Sequence, residues 1–220
     1  PIFNEKFSKI IKKELKTKKI KILALGLDLL LKEPLFKINE KDLHWIIKNL
    51  KKIIKLYNIK RVTIPLEENA KISSYQDYLL TKKRLKLMLK MLSKRTKICI
   101  ETDLSIINIK QLFNQKGLKN LGLLLDIGNI KANGYKLEDY INNFPNKIYG
   151  IHLKKRNFLF SKSLPITSPF KEMKTVLKNL NKFKNVEDIC LQNFRSDKNY
   201  IKETKKALKL LKKSVYEYKK

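Results

Sequence analysis

Six short apolar runs, almost every one followed by a segment with helical periodicity, constrain the fold of this chain more than any other feature. The runs occupy residues 21–29, 61–69, 97–103, 121–129, 148–156 and 187–193. Nearly continuous apolar character over four to six residues, rich in β-branched side chains, is typical of strands that are buried on both faces. Strands that alternate with helices are parallel and joined by right-handed crossovers. The sequence therefore predicts an α/β fold, either a barrel or a doubly wound sheet.

The intervening segments carry apolar side chains at the 3.6-residue spacing of amphipathic helices. The clearest of these segments are 43–57, 78–92 and 201–218, and residues 1–17 show the same spacing. No linker rich in Pro, Gly or Ser interrupts the alternation, so we predict a single domain over residues 1–220.

The composition narrows the class of protein further. Hydrophobic residues make up 43% of the 220-residue chain, which is enough apolar surface to exclude simple disorder. The longest apolar stretch, Ile22 to Leu31, contains Asp28 and is far shorter than the ~20 residues of a membrane span. Cys99 and Cys190 lie in apolar runs without metal-type spacing, which predicts buried, reduced thiols. We therefore expect a cytoplasmic protein.

The formal net charge of +31 comes from 51 Lys and Arg residues against 20 Asp and Glu residues. Only 5 of the basic residues are Arg, the side chain best suited to bidentate contacts with phosphates and guanine edges. The lysines are spread over the polar faces of the predicted helices rather than gathered in a tail. We interpret them as a solvated coat and expect neither a specific nucleic acid nor a membrane partner.

Polar side chains follow each apolar run at its carboxyl end, where ligands bind in parallel α/β folds. They are Asp28, Glu67, Glu68, Glu101, Asp103, Asp126, Asn129, His152, Arg156, Gln192 and Asn193. The sequence of any strand becomes polar where the strand enters a loop, whether or not a ligand binds there. This local explanation stays open for Asp28, Glu67, Glu68 and Asp103. The other histidine, His44, belongs to a helical segment and is interpreted as packing or surface.

Four of these residues come from four successive runs and form a possible ligand set: Glu101, Asp126, His152 and Gln192. Two carboxylates, one imidazole and one amide oxygen suit a hard or borderline divalent ion such as Mn²⁺, Mg²⁺ or Co²⁺. Such an ion polarises a carbonyl group while a neighbouring carboxylate moves a proton.

The motifs around these residues resemble the sugar phosphate isomerase/epimerase family, the xylose isomerase-like TIM barrels. LGLLLDIGN at 121–129 is similar to a family motif that reads Asp-Thr-Gly-Asn, and IHLKKR at 151–156 to one that reads His-Ile-Lys-Asp-Arg. DICLQN at 188–193 is similar to a final strand that ends in Glu or, in one branch, Gln. The resemblance covers residues 20–200 and is most specific over 97–195.

The resemblance implies a (β/α)₈ barrel with a divalent metal held by Glu101, Asp126, His152 and Gln192. It also implies that Asn129 and Arg156 contact a small sugar or sugar phosphate, and that Glu101 transfers the proton. Since Gln192 cannot accept a proton, a one-base isomerisation fits better than a two-base epimerisation.

The chain departs from the family pattern at three places. Lys155 stands where the family motif has Asp, and the loop 163–170 has no Gly. Only six strand-helix units are present, which predicts an incomplete barrel that lacks the first two units of the family. Such a barrel leaves sheet edges exposed, which leaves a homo-oligomer open.

The function predicted from these observations is a metal-dependent sugar or sugar phosphate isomerase or epimerase. Lys155 and the altered loop keep a second function open, a degenerate, non-catalytic barrel that binds a sugar or a protein partner. A metal-dependent apurinic endonuclease shares the barrel superfamily and suits a basic surface, but its metal sites need many histidines and this chain has two.

Overall fold

The computed structural model of the protein describes residues 4–92, 96–157, 162–194 and 199–219. The chain divides into two compact parts, Pro1–Gly122 and Leu123–Lys220.

Among its described residues, the first part contains three parallel strands and five α-helices. The strands are β1 (Ala24–Gly26), β2 (Arg61–Leu66) and β3 (Lys97–Thr102), with β2 paired to both others. The helices are α1 (Glu5–Thr17), α2 (Leu29–Lys32), α3 (Glu40–Tyr57), α4 (Tyr75–Met91) and α5 (Ile106–Phe113), and Glu68–Ala70 forms a 3₁₀ turn.

Local side-chain chemistry explains where these helices begin and end. Asn39 caps α3 by accepting the Asp42 backbone N–H at 2.9 Å. Ser74 and Asp77 form a reciprocal capping box at the start of α4. At the other end of α3, Asn58 adopts the left-handed conformation at φ 54°, which ends the helix and turns the chain into β2. Side-chain and backbone chemistry thus sets both ends of α3 and the start of α4.

Among its described residues, the second part contains four α-helices and the remaining strands, the first of which begins two residues before the boundary. The strands are β4 (Leu121–Asp126), β5 (Ile148–Leu153), β6 (Lys155–Arg156), β7 (Ser163–Leu164) and β8 (Ile189–Leu191). The helices are α6 (Ile127–Ala132), α7 (Leu137–Asn143), α8 (Lys171–Lys178) and α9 (Tyr200–Lys219), and Leu180–Lys182 forms a 3₁₀ turn. β5 is parallel to both β4 and β8, whereas β6 and β7 form a short antiparallel pair.

Each of the six apolar runs contains one of the six parallel strands, so the predicted fold class is confirmed. The fold is α/β, an incomplete TIM-type barrel with six parallel strands and helices in the connections. The α1 helix also confirms the periodicity at the start of the chain. β2 and β4 are buried along their whole length, as expected for strands that are covered on both faces.

The prediction of buried strands is wrong for parts of the first and last runs. β1 and β8 have three residues each, and neither is fully buried at any position. Cys190, which we expected to be a buried thiol, is exposed because it lies in β8, for which β5 is the only partner strand within the described residues. Cys99 is buried in β3, as predicted.

The lysines form a solvated coat, as the sequence indicates. Among the described residues, the buried polar and charged side chains include one Arg and no Lys. Within the same residues, no helix is both long and apolar enough to cross a membrane.

Candidate functional site

The carboxyl end of β4 carries a buried carboxylate. Asp126 is the last residue of the strand and is only 3% exposed. It is also the residue before α6, and its Oδ1 accepts the Asn129 backbone N–H at 2.8 Å. Because the side chain caps the helix, its position is fixed, and Oδ2 is the oxygen that faces the neighbouring strand.

The carboxyl end of β5 brings an imidazole beside this carboxylate. His152 pairs in register with Asp126, and its Nδ1 lies 4.0 Å from Asp126 Oδ2. The His152 side chain is 15% exposed, so the pair is shielded from most solvent. A carboxylate oxygen and an imidazole nitrogen are both ligand types that bind a borderline divalent ion, and here they lie close together.

Asn129 and Arg156, which the family resemblance predicts to contact substrate, are joined by a hydrogen bond. Arg156 Nη1 donates to Asn129 Oδ1 at 2.7 Å. Asn129 is 5% exposed in the first turns of α6, and Arg156 lies in β6, just beyond the end of β5. The structure therefore places both predicted substrate residues beside the strand ends that carry Asp126 and His152.

Gln192 follows β8 directly and lies beside the end of β5. Its backbone N–H donates to the Leu153 carbonyl oxygen at 3.0 Å, and the residue is half-buried. The next residue, Asn193, accepts the Ile166 backbone N–H at 2.9 Å through Oδ1. This hydrogen bond ties the glycine-free 163–170 loop to the end of β8, and Ile166 anchors the loop because its side chain is buried.

Glu101 belongs to the first part of the chain, where it is the fifth residue of β3. It pairs in register with Pro65 of β2 and is half-buried. Asp103, two residues further on, makes an ion pair with Lys71 at 3.3 Å. The local explanation, a polar side chain where a strand enters a loop, accounts for Asp103 without a ligand.

The structure reveals one site residue that we did not predict, Lys154. Its Nζ lies 3.7 Å from Asp126 Oδ2, and its side chain is 19% exposed. The signal was present in the sequence, because alternate residues of an extended strand point to the same side and Lys154 is two residues after His152. Lys155, which drew attention because the family motif has Asp there, pairs instead with Leu164 of β7.

Solved structures with the same fold include xylose isomerase domain proteins and sugar phosphate isomerases/epimerases. A xylose isomerase domain protein from Planctomyces limnophilus superposes with a TM-score of 0.78 at 12% identity, over 99% of this chain and 86% of that one. The chain has the fold of the xylose isomerase-like TIM barrels. No family model matches the sequence, and neither does any curated protein.

Two further neighbours are a protein with a bound zinc atom and an epimerase. One is the IOLI protein with a binding zinc atom, at a TM-score of 0.69 and 19% identity, over 90% of this chain and 78% of that one. The other is 3-keto-D-glucoside 4-epimerase, YcjR, from E. coli, at a TM-score of 0.70 and 10% identity, over 92% of this chain and 83% of that one. At these identities the similarity shows the fold alone.

Proposed function

We propose that this chain is a divalent-metal-dependent isomerase or epimerase of sugars or sugar phosphates. The observation that carries the proposal is the Asp126–His152 pair, with Oδ2 and Nδ1 4.0 Å apart at the carboxyl ends of two adjacent parallel strands. In TIM-type folds this end of the strands is where catalytic residues converge. The zinc atom of one structural neighbour and the epimerase activity of another support the same assignment.

The proposed ligands are Glu101, Asp126, His152 and Gln192. Glu101, Asp126 and His152 have the residue types that together hold a divalent ion, and Gln192 adds an amide oxygen. When bound, the ion would polarise the substrate carbonyl and stabilise the negative charge of an enediolate. Its identity among Mn²⁺, Mg²⁺ and Co²⁺ is left to measurement.

The protein's own residues would position the substrate and move the proton. In the proposed isomerisation, Glu101 takes the proton from the carbon next to the carbonyl and delivers it to the former carbonyl carbon, while the hydroxyl proton moves between the two oxygens of the enediolate. Glu101 does both transfers in the proposal, since Gln192 is not basic. Arg156 donates one guanidinium N–H to Asn129, and a guanidinium group is a side chain well suited to bind a hydroxyl or phosphate oxygen of the substrate. The buried Asn129 would hold that guanidinium in a fixed orientation.

A second candidate function, a non-catalytic binding protein, is favoured by the ammonium group of Lys154, which faces the candidate metal ligand Asp126. In a non-catalytic barrel, Lys154 at 3.7 Å would replace the ion as the permanent partner of the carboxylate. Such a protein would bind a sugar or a protein partner without turnover.

Deuterium exchange distinguishes these functions. Purified protein in D₂O with Mn²⁺ would be incubated with a panel of keto-sugars and their phosphates, and ¹H NMR would follow the hydrogen next to the carbonyl. We expect exchange for at least one substrate, and loss of exchange in Glu101→Gln but not in the matched control Glu33→Gln, which alters an exposed carboxylate. No exchange with any substrate at saturating Mn²⁺, or equal exchange in both variants, would refute the catalytic proposal.

A further inference from the structure

The stem of Lys154 is packed so that its ammonium group points at Asp126. A Cβ atom added at Gly128 would lie 3.0 Å from Lys154 Cγ and 3.1 Å from Lys154 Cβ, so the lysine stem lies directly against this glycine. The ammonium group then reaches Asp126 Oδ2 at 3.7 Å. Both side chains are largely shielded from water, with 19% and 2% of their surfaces exposed.

The two oxygens of Asp126 have different neighbours. Oδ1 accepts the Asn129 backbone N–H and thereby caps α6. Oδ2 is the atom close to both His152 Nδ1 and Lys154 Nζ. An ion that binds Asp126 and His152 together would therefore use the same oxygen as the Lys154 ammonium group.

We propose that Lys154 competes with the divalent ion for Asp126 Oδ2 and thereby sets the metal affinity of this chain. The inference rests on the proposed function, because the ion is the one assigned there. A positive charge about 4 Å from a carboxylate neutralises part of its field and repels a second cation, and solvent and salt screen this effect little at a shielded site. Binding the ion requires that the ammonium group moves away or that the repulsion is tolerated.

Titration calorimetry with MnCl₂ on three proteins tests this competition. The proteins are the wild type, Lys154→Met, which keeps an unbranched stem without the charge, and the matched control Lys155→Met, which removes one positive charge from the next residue. We expect Lys154→Met to bind Mn²⁺ tighter by about tenfold or more, the size of effect that neighbours of metal ligands have on affinity. We expect Lys155→Met to change the affinity by less than about threefold, because Lys155 pairs with Leu164 of β7, whereas the ion pair with Asp126 is made by Lys154.

A fourth protein, Lys154→Arg, separates charge from packing. It retains the positive charge, so we expect no gain in affinity, and a gain equal to that of Lys154→Met would overturn the proposal. Circular dichroism melts check that each variant is folded, and Lys154→Gln replaces Lys154→Met if the latter does not fold.

The remaining outcomes separate this inference from the proposed function. Equal Mn²⁺ affinity of the wild type and Lys154→Met would overturn the competition and leave the metal-dependent function standing. Binding by Lys154→Met but not by the wild type would support the competition and refute a metal-dependent activity of the natural chain. Equal gains in Lys154→Met and Lys155→Met would overturn the competition, since they would reflect net charge alone.

Discussion

Gly128→Ala is expected to disturb the end of β5 through a single methyl group. The new Cβ would lie 2.7 Å from the Lys154 carbonyl oxygen, whereas ordinary van der Waals contact begins near 3.4 Å. The two backbones must therefore separate by roughly 0.7 Å. The closest atom belongs to the backbone and cannot rotate away as a flexible side chain would, and the segment that moves carries both Lys154 and the neighbouring His152.

The expected cost follows from two opposing effects. Overpacking a buried site costs about 1–3 kcal/mol, and replacing a helical glycine by alanine recovers about 0.5–1 kcal/mol. We therefore expect the free energy of unfolding to fall by about 1–2 kcal/mol, and Tm to fall by about 2–8 °C for a chain of this length. Thermal melts followed by circular dichroism measure the change.

Gly134→Asn provides the matched control. Gly134 has φ +75°, which Asn tolerates, and a Cβ atom there would have no neighbour within 4 Å. We expect its free energy of unfolding to change by less than about 0.5 kcal/mol. A Gly128→Ala protein as stable as the wild type would refute the close packing of α6 against the end of β5.

Two further substitutions test other parts of the structure. Ser74→Ala removes the capping box of α4 and should lower the free energy of unfolding by about 1 kcal/mol in urea titrations, whereas Ser73→Ala, an exposed neighbour outside the cap, should not. Burial lowers the pKa of Lys147 below its ordinary value of 10.5. The charged lysine therefore lowers the free energy of unfolding at every pH below that lowered pKa. Lys147→Met should therefore raise Tm at pH 7, and the gain should shrink as the pH rises through the lowered pKa towards 10.5; a gain that is constant with pH would contradict the desolvation of Lys147.

The sequence predicts the fold well because its apolar runs are short and regularly spaced. Continuous burial identifies β2 and β4, and the 3.6-residue spacing identifies α3, α4 and α9, since packing against a sheet demands these patterns. The same reasoning fails for Cys190, because an apolar run cannot reveal whether its strand has one partner or two. Burial on both faces requires the second partner.

The candidate site is predictable in residue type but not in contacts. The ends of parallel strands identify Asp126 and His152 as neighbours, and the structure confirms their proximity. The spacing of two residues from His152 indicates the side of the strand on which Lys154 lies, but the direction of its ammonium group also depends on the packing of its stem against Gly128, a contact between residues 26 positions apart. The family motif points to Lys155 instead, because a comparison of motifs detects which residue types differ and not where their side chains lie.

The proposed metal centre at the ends of β4 and β5 can be tested by Mn²⁺ binding to two variants, His152→Ala and His44→Ala. His152 lies 4.0 Å from Asp126 Oδ2, whereas His44 is exposed on α3 and bonds only to the Glu40 carbonyl oxygen among the described residues. We expect the wild type and His44→Ala to bind one Mn²⁺ per chain with the same affinity in titration calorimetry, and His152→Ala to bind it at least about tenfold more weakly. Equal affinities of His152→Ala and His44→Ala would contradict a metal centre at the ends of β4 and β5.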